Sequence, residues 1–363
     1  MDRAAKVAGC GVWNTTIWPV VGPMSAPVEA MDAISENVLW VGTNKGDILR
    51  MNASGWHHVQ TLKTRDGNDI AVNKLDVQDE NDVWVVGNYM ATAFRDGTSQ
   101  LNSGPATSAV FHWDGKSFEQ IMVPGLEQWG SLYAVAAVDD ENAWFVGTHG
   151  RIWRWNGKEI VAVRTNEEIR LYDLADISVV SGTDIWVVGT STGFTYGGVG
   201  AVAIHWDGAE WEISKEWNGE GGNTQQSSVD SLWHVIALAQ DDVWAIAGGR
   251  SPAVHWNGQQ WALSEMPNYE DYGHIGLSTL TASAPDDIWA LGYSWTDGPR
   301  PFALRWNGTE WSIVPAPKIL HLGGFAAGKA FPGRLWAAGI TYQDEDLGPV
   351  YSMSAQIELA NCP

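Results

Sequence analysis

The chain has 363 residues, with 43 acidic against 21 basic side chains and a formal charge of −22. A surplus of that size repels nucleic acid and anionic membranes, and no basic stripe offsets it. No apolar run reaches the roughly 18 residues that a membrane-spanning helix requires, which excludes such a span. Low charge content, 40 glycines and 23 tryptophans suit many short strands joined by tight turns.

Residues 1–9 read as a polar N-terminal tail without the apolar core of a signal peptide. Val7-Ala8-Gly9-Cys10 imitates a bacterial lipoprotein cleavage box, but the apolar stretch that box needs is missing. Next, Val12-Trp13-Asn14-Thr15-Thr16-Ile17-Trp18 matches the spacing of Arg305-Trp306-Asn307-Gly308-Thr309-Glu310-Trp311, so the chain starts with the outer strand of a repeat unit. From there a two-part motif recurs. Its first half is Asp184-Ile185-Trp186-Val187-Val188-Gly189 and its equivalents around Trp40, Trp84, Trp144, Trp244, Trp289 and Trp336. These tryptophans lie 44, 60, 42, 58, 45 and 47 residues apart. The second half, His205-Trp206-Asp207-Gly208-Ala209-Glu210-Trp211, returns at His112-Trp113, Arg154-Trp155, His255-Trp256 and Arg305-Trp306.

A period of about 40–50 residues with several strands per unit predicts a β-propeller. Each unit reads as four strands: a small apolar inner strand, an acidic turn, the tryptophan strand, and two outer strands around an Asp-Gly or Asn-Gly turn. The expectation is one all-β domain over residues 10–363. It is a seven-bladed propeller of four-stranded antiparallel blades, closed by pairing of the N-terminal strand with the C-terminal blade. Phe325 to Gly328, Leu335 to Gly339 and Val350 to Leu359 are the strands expected to complete that blade. Cys10 and Cys362, the only cysteines, flank the two strands that would meet there, which predicts a disulfide in place of the missing hairpin turn. Closing a loop of about 350 residues stabilises by roughly 5–6 kcal/mol in the chain-entropy model. Such a bridge implies an oxidising compartment, extracellular or periplasmic. Lipidation of Cys10 is the competing reading.

The repeated segments resemble the tryptophan-rich propeller repeats of secreted bacterial proteins, in which Ser-x-x-Asp-Val-Trp-Ala-Val-Gly precedes His-Trp-Asn/Asp-Gly-x-x-Trp. The resemblance covers about residues 10 to 360. It implies an extracytoplasmic scaffold and no particular chemistry.

Residues that recur belong to the scaffold, so function is sought in what departs from the repeat. His112, His205 and His255 share a position with Arg154 and Arg305, which favours a blade role over metal ligation. The acidic clusters Asp79 to Asp82, Asp139 to Asn142, Asp241-Asp242 and Asp286-Asp287 read as solvated turns. Gly323 to Ala330 imitates a phosphate loop but overlaps an inner strand and lacks the Ser or Thr that would hold magnesium. Five tryptophans lie outside the repeat positions: Trp129, Trp153, Trp217, Trp233 and Trp295. Trp153 reads as core and Trp233 as an inner-strand residue beside His234. Trp129, Trp217 and Trp295 fall in connections that share one face, where insertions also gather: Asn88 to Thr107, Lys215 to Asp230, the Tyr272–His274 stretch and the Tyr342 to Asp346 loop with Asp344. Loops on a rigid scaffold commonly carry binding groups.

Alignment on the strand-B tryptophans places Lys74, Asp176, His234 and Thr279 at one height around the channel, with Asp32 and Asp76 two residues further along. The leading reading is a non-enzymatic, lectin-like recognition module for a glycan or a protein. The alternatives are a hydrolase or lyase using Asp176, His234, Tyr172 and Lys74, and a scaffold in an envelope complex. No cofactor is expected; calcium is the open alternative, with Asp32, Asp76 and Asp176 as its candidate ligands.

Overall fold

The computed structural model describes residues 12–17, 26–92, 103–126, 130–191, 200–218, 229–248, 253–295, 298–316, 322–341 and 352–358. In chain order the strands begin with β1 (Val12–Ile17), then β2 (Val28–Ser35), β3 (Val38–Thr43), β4 (Asp47–Asn52) and β5 (Gly55–Thr61). The next unit is β6 (Ala71–Val77), β7 (Val83–Thr92), β8 (Ser103–Trp113) and β9 (Phe118–Ile121), followed by β10 (Leu132–Asp139), β11 (Asn142–Gly147), β12 (Ile152–Trp155) and β13 (Ile160–Val163). Then come β14 (Tyr172–Ser181), β15 (Asp184–Ser191), β16 (Gly200–Trp206) and β17 (Trp211–Asn218). After them run β18 (Ser231–Ala239), β19 (Asp242–Gly248), β20 (Ala253–Trp256) and β21 (Trp261–Leu263). The chain finishes with β22 (His274–Ala284), β23 (Asp287–Trp295), β24 (Pro299–Trp306), β25 (Trp311–Val314), β26 (Leu322–Phe331), β27 (Arg334–Thr341) and β28 (Ser352–Glu358).

Seven tryptophan-marked units do not make seven like blades. Counted as continuous repeats, the blades number six rather than seven: β2 to β5, β6 to β9, β10 to β13, β14 to β17, β18 to β21 and β22 to β25 each form a four-stranded antiparallel sheet. The remaining four-stranded sheet has the order β1-β28-β27-β26 and draws on both ends of the chain. Inner strands touch in succession from β2 through β26, and β26 returns to β2, so the ring is closed. Each inner strand is the edge of its own sheet, and closure covers that edge with the inner strands of the two neighbouring blades.

The N-terminal segment departs from its spacing match. Asn14, Thr15 and Thr16, aligned by spacing with a hairpin turn, pair continuously with Gln356, Ala355 and Ser354. Gly308 of the matching turn adopts φ +89. Thr15 stands in its place and, as a β-branched residue, disfavours that backbone region, so the stretch stays extended. Cys10 and Cys362 lie outside the described residues.

Tryptophans hold neighbouring blades together. Trp144 of one blade meets Trp206 and Trp211 of the next at 5.3 and 5.4 Å, and Trp244 meets Trp306 and Trp311 at 4.9 and 5.6 Å. Trp186 packs on Trp256 and Trp261 in the same way, at 5.5 and 5.6 Å. The glycine three residues after Trp186, and after Trp289 in the last continuous blade, has its own cause. A Cβ on Gly189 would lie 2.2 Å from the Asp173 carbonyl oxygen, and one on Gly292 would lie 1.9 Å from that of Gly276.

The repeat histidines are part of this packing. His205 stacks on Trp186 at 4.3 Å and bonds Asp184 at 2.8 Å through Nε2; His112 and His255 repeat the arrangement with Asp82 and Asp242. Arg305 takes the same role, its Nε donating to Asp287 at 2.8 Å. The turn acids are therefore not all solvated: Asp82, Asp184 and Asp287 are buried. Each is the last acid before the tryptophan strand, where the chain enters the sheet.

Candidate functional site

Every inner strand carries a register shift at the same height, which leaves one extra residue on each. These residues are Glu29, Asn73, Tyr133, Ala175, Trp233, Ser278 and Ala326. A bulge inserts one unpaired residue and re-aims its side chain. The ring has a sequence signal that the tryptophan alignment passed over. In all but the last blade the bulged residue lies 11 positions before the strand-B tryptophan, as Trp233 does before Trp244. Unlike residues at one repeated place mark a surface that the scaffold leaves free to vary.

Inside the mouth lies a cavity of about 470 Å³, whose walls include Glu29, Asn73, His234, Ser278, Tyr293 and Phe325. Tyr293 is seated between glycines: a Cβ on Gly276 would meet its ring at 2.5 Å, and one on Gly324 its own Cβ at 2.8 Å. Trp233 is 50% exposed on the adjoining bulge.

The next layer contains Lys74, Asp176, His234 and Thr279, each facing the residue two beyond the strand-B tryptophan, as expected. Ala134 occupies the intervening blade, and its small side chain lets Lys74 reach across. Lys74 Nζ donates to Asp176 Oδ1 at 2.8 Å, and His234 Nδ1 lies 3.3 Å from Asp176 Oδ2. The Val235 amide donates to the same oxygen at 3.1 Å. Burial by itself would raise the Asp176 carboxyl, but the Lys74 charge and the His234 contact together hold it well below the usual carboxylate range.

Deeper still, four of the residues opposite the tryptophans clip adjacent blades. Asp32 accepts the Val77 amide at 2.9 Å, Asp76 the Ala137 amide at 3.0 Å, Ser178 the Ala237 amide at 2.9 Å and Thr281 the Ala330 amide at 3.0 Å. Lys329 Nζ pairs with Asp32 at 2.5 Å. Burial, with the Asp32 charge beside it, pushes the Asp76 carboxyl up to about 6. As calcium ligands these acids would have to surrender bonds already made: Asp32 and Asp176 each hold a lysine. Among the described residues no three His, Cys, Asp or Glu side chains converge as a metal site.

The other sequence-predicted residues scatter. Tyr172 is buried and donates to Glu216 at 2.6 Å, away from Asp176; burial first, and then that carboxylate, raise its hydroxyl above the usual range. Trp217 belongs to β17 rather than to a connection, pairs with Ala201 and meets Trp261 edge-on at 5.8 Å. Trp153 is core, as expected. Tyr272 packs on Phe302 at 5.3 Å. Trp295 is 50% exposed at the end of β23, opposite His274, and His274 lies 6.4 Å from the Tyr293 ring. Trp129, Tyr342 and Asp344 lie outside the described residues. The insertion at Asn88 begins as a longer hairpin, with Asn88 to Thr92 pairing back to Ser103 to Ser108. Among the described residues no helix is long and apolar enough to cross a membrane.

The sequence matches no family profile and no curated protein, so the resemblance to tryptophan-rich secreted repeats rests on its motifs. Solved structures do share the fold. YCF48 bound to D1 peptide superposes with a TM-score of 0.62 at 15% identity, covering 99% of this chain and 100% of that one. RRP9 WD40 repeats give 0.57 at 9% identity, covering 98% and 99%. The GH74 xyloglucanase from Xanthomonas campestris gives 0.61 at 13% identity, but 94% of this chain spans only 55% of that enzyme. The chain is thus a β-propeller with neighbours of differing function.

Proposed function

We propose that this protein is a non-enzymatic recognition module that binds a protein segment at the channel mouth and works outside the cytoplasm. One observation carries the reading: Trp233 exposes half of its surface on a bulge beside a cavity walled by Glu29, Asn73 and Ser278. A large aromatic left bare among polar groups is a common anchor for a partner. The YCF48 neighbour, solved with a peptide bound, supports a protein ligand. Extracytoplasmic placement is supported by the repeat resemblance and the proposed Cys10–Cys362 bridge.

The acid–base alternative has less behind it. A general base must take up a proton near the working pH, whereas Asp176 is held ionised by Lys74 and His234, and Tyr172 is committed to Glu216. A glycan is the second reading, favoured by the exposed indole of Trp295, on which a sugar ring could stack.

The test is a screen of peptide and glycan arrays followed by titration of wild type and Trp233→Ala. Tenfold or greater weakening, with melting unchanged within about 2 °C, is the expected result, because removing an anchoring aromatic costs about 2 kcal/mol or more. Undiminished binding by Trp233→Ala would remove the reading's main support.

A further inference from the structure

We infer that the mouth cavity takes a cationic side chain, an ammonium or guanidinium carried on a protein segment, with Glu29 as its counter-ion. This rests on the recognition reading above. The channel carboxylates differ in their commitments. Asp32 holds Lys329, Asp76 accepts from Gln78 and the Ala137 amide, and Asp176 holds Lys74, His234 and the Val235 amide. Glu29, half-buried on the first bulge, lines the cavity and has no hydrogen-bond or ion-pair partner among the described residues. Its surroundings disfavour the bare anion, since burial raises the carboxyl, and an incoming cation would relieve that cost.

The remaining walls suit the same guest. Asn73 Nδ2 already donates to the Leu132 carbonyl at 3.0 Å, which leaves its amide oxygen as an acceptor. Ser278 adds a hydroxyl and Tyr293 an aromatic ring, and aromatic faces attract ammonium and guanidinium groups. Among the described residues no lysine or arginine lines the cavity, and the one histidine there, His234, is turned to Asp176. A net charge of −22 enriches cations around the whole molecule. An anionic guest would meet Glu29 without a compensating donor charge.

The experiment uses the full chain and blocked pentapeptides Ala-Ala-X-Ala-Ala, with X lysine, arginine, norleucine or glutamate, titrated by tryptophan fluorescence and NMR. Glu29→Gln is compared with Glu310→Gln, which removes one charge from an exposed outer hairpin turn. Wild type and Glu310→Gln should bind lysine or arginine peptides at least tenfold more tightly than norleucine, and Glu29→Gln should lose most of that preference. Glu29→Gln should fold normally, because it removes a partly buried charge that none of the described residues pairs with. Three results would count against the idea in different ways. Trp233-dependent binding without a cationic preference overturns the inference and leaves the recognition reading standing. A preference that survives in Glu29→Gln assigns it to overall charge and also overturns the inference. Absence of Trp233-dependent binding for every peptide overturns both.

Discussion

Asp184 serves two neighbours with one oxygen: Oδ1 accepts from Trp186 Nε1 at 3.0 Å and meets His205 Nε2 at 2.8 Å. Removing it leaves a buried indole N–H without a partner, which costs about 1–3 kcal/mol. Asp184→Ala should lower stability by about 2 kcal/mol in denaturant titration, and His205→Gln by about half of that. Neither should alter ligand binding; a loss of binding in His205→Gln would show that the repeat histidines do more than pack. Trp217 and Trp295 part company on the same grounds. Both are absent from the repeat, and sequence alone gave no reason to separate them. Trp217 packs against Trp261 and the core between two blades, so Trp217→Ala should cost about 3 kcal/mol. Trp295 stands half exposed, and Trp295→Ala should leave the melting temperature unchanged. Equal destabilisation by both variants would contradict the burial difference.

Inner strands β2, β6, β14 and β22 do two jobs. Each carries an unpaired residue at its bulge, while a side chain below accepts an amide of the next inner strand. The Asp76 clip carries a pH signature. Its folded-state value of about 6 lies above the ordinary 3.8, so the folded protein binds more protons between those values. Its contribution is therefore most favourable below the ordinary value and is lost as pH rises through about 6. Asp76→Asn should shrink the fall in stability between about pH 4 and 6 and should melt higher than wild type at pH 7.5. An unchanged pH profile would mean that Asp76 is not the group responsible. Asp176 has the opposite sign: its depressed value stabilises above the ordinary carboxylate range and is lost in acid. Lys74→Ala would leave this buried carboxylate short of its main counter-charge, a loss of about 3 kcal/mol. The layer of Lys74, Asp176, His234 and Thr279 was legible because it lies ten residues before each tryptophan, and a shared bulge preserves a shared offset. The bulged residues share an offset too, one position earlier in all but the last blade, but no residue type marks them, so only the strand pairing shows which residue is the extra one.

At the scale of the whole ring, stability depends on the sheet that joins β1 to β28. Val12 pairs with Glu358 and Ile17 with Met353, and this ladder joins the two ends of the chain alongside the Asp32–Lys329 pair and the packing of β26 on β2. A Cys10–Cys362 bridge beyond that ladder is proposed, and Cys10→Ser should lower the melting temperature of protein expressed in an oxidising compartment without changing ligand preference. Non-reducing peptide mapping that recovered two free thiols, or a lipid on Cys10, would end the bridge proposal.

The sequence by itself determined the blade architecture, because strand period, turn glycines and tryptophan spacing are local properties repeated along the chain. It also determined that the repeat histidines are scaffold, since arginine replaces them at equivalent positions. Only the tertiary structure decided which unusual residues share a surface. Trp233 and Glu29 lie about 200 residues apart in sequence, and they share one height of the ring only because each sits at the equivalent bulge of an inner strand. Partnership was decided there too. Asp32, Asp76, Asp176 and Glu29 are alike in sequence, but strands brought in from other blades supply lysines or amides to three of them, and none of the described residues does so for Glu29.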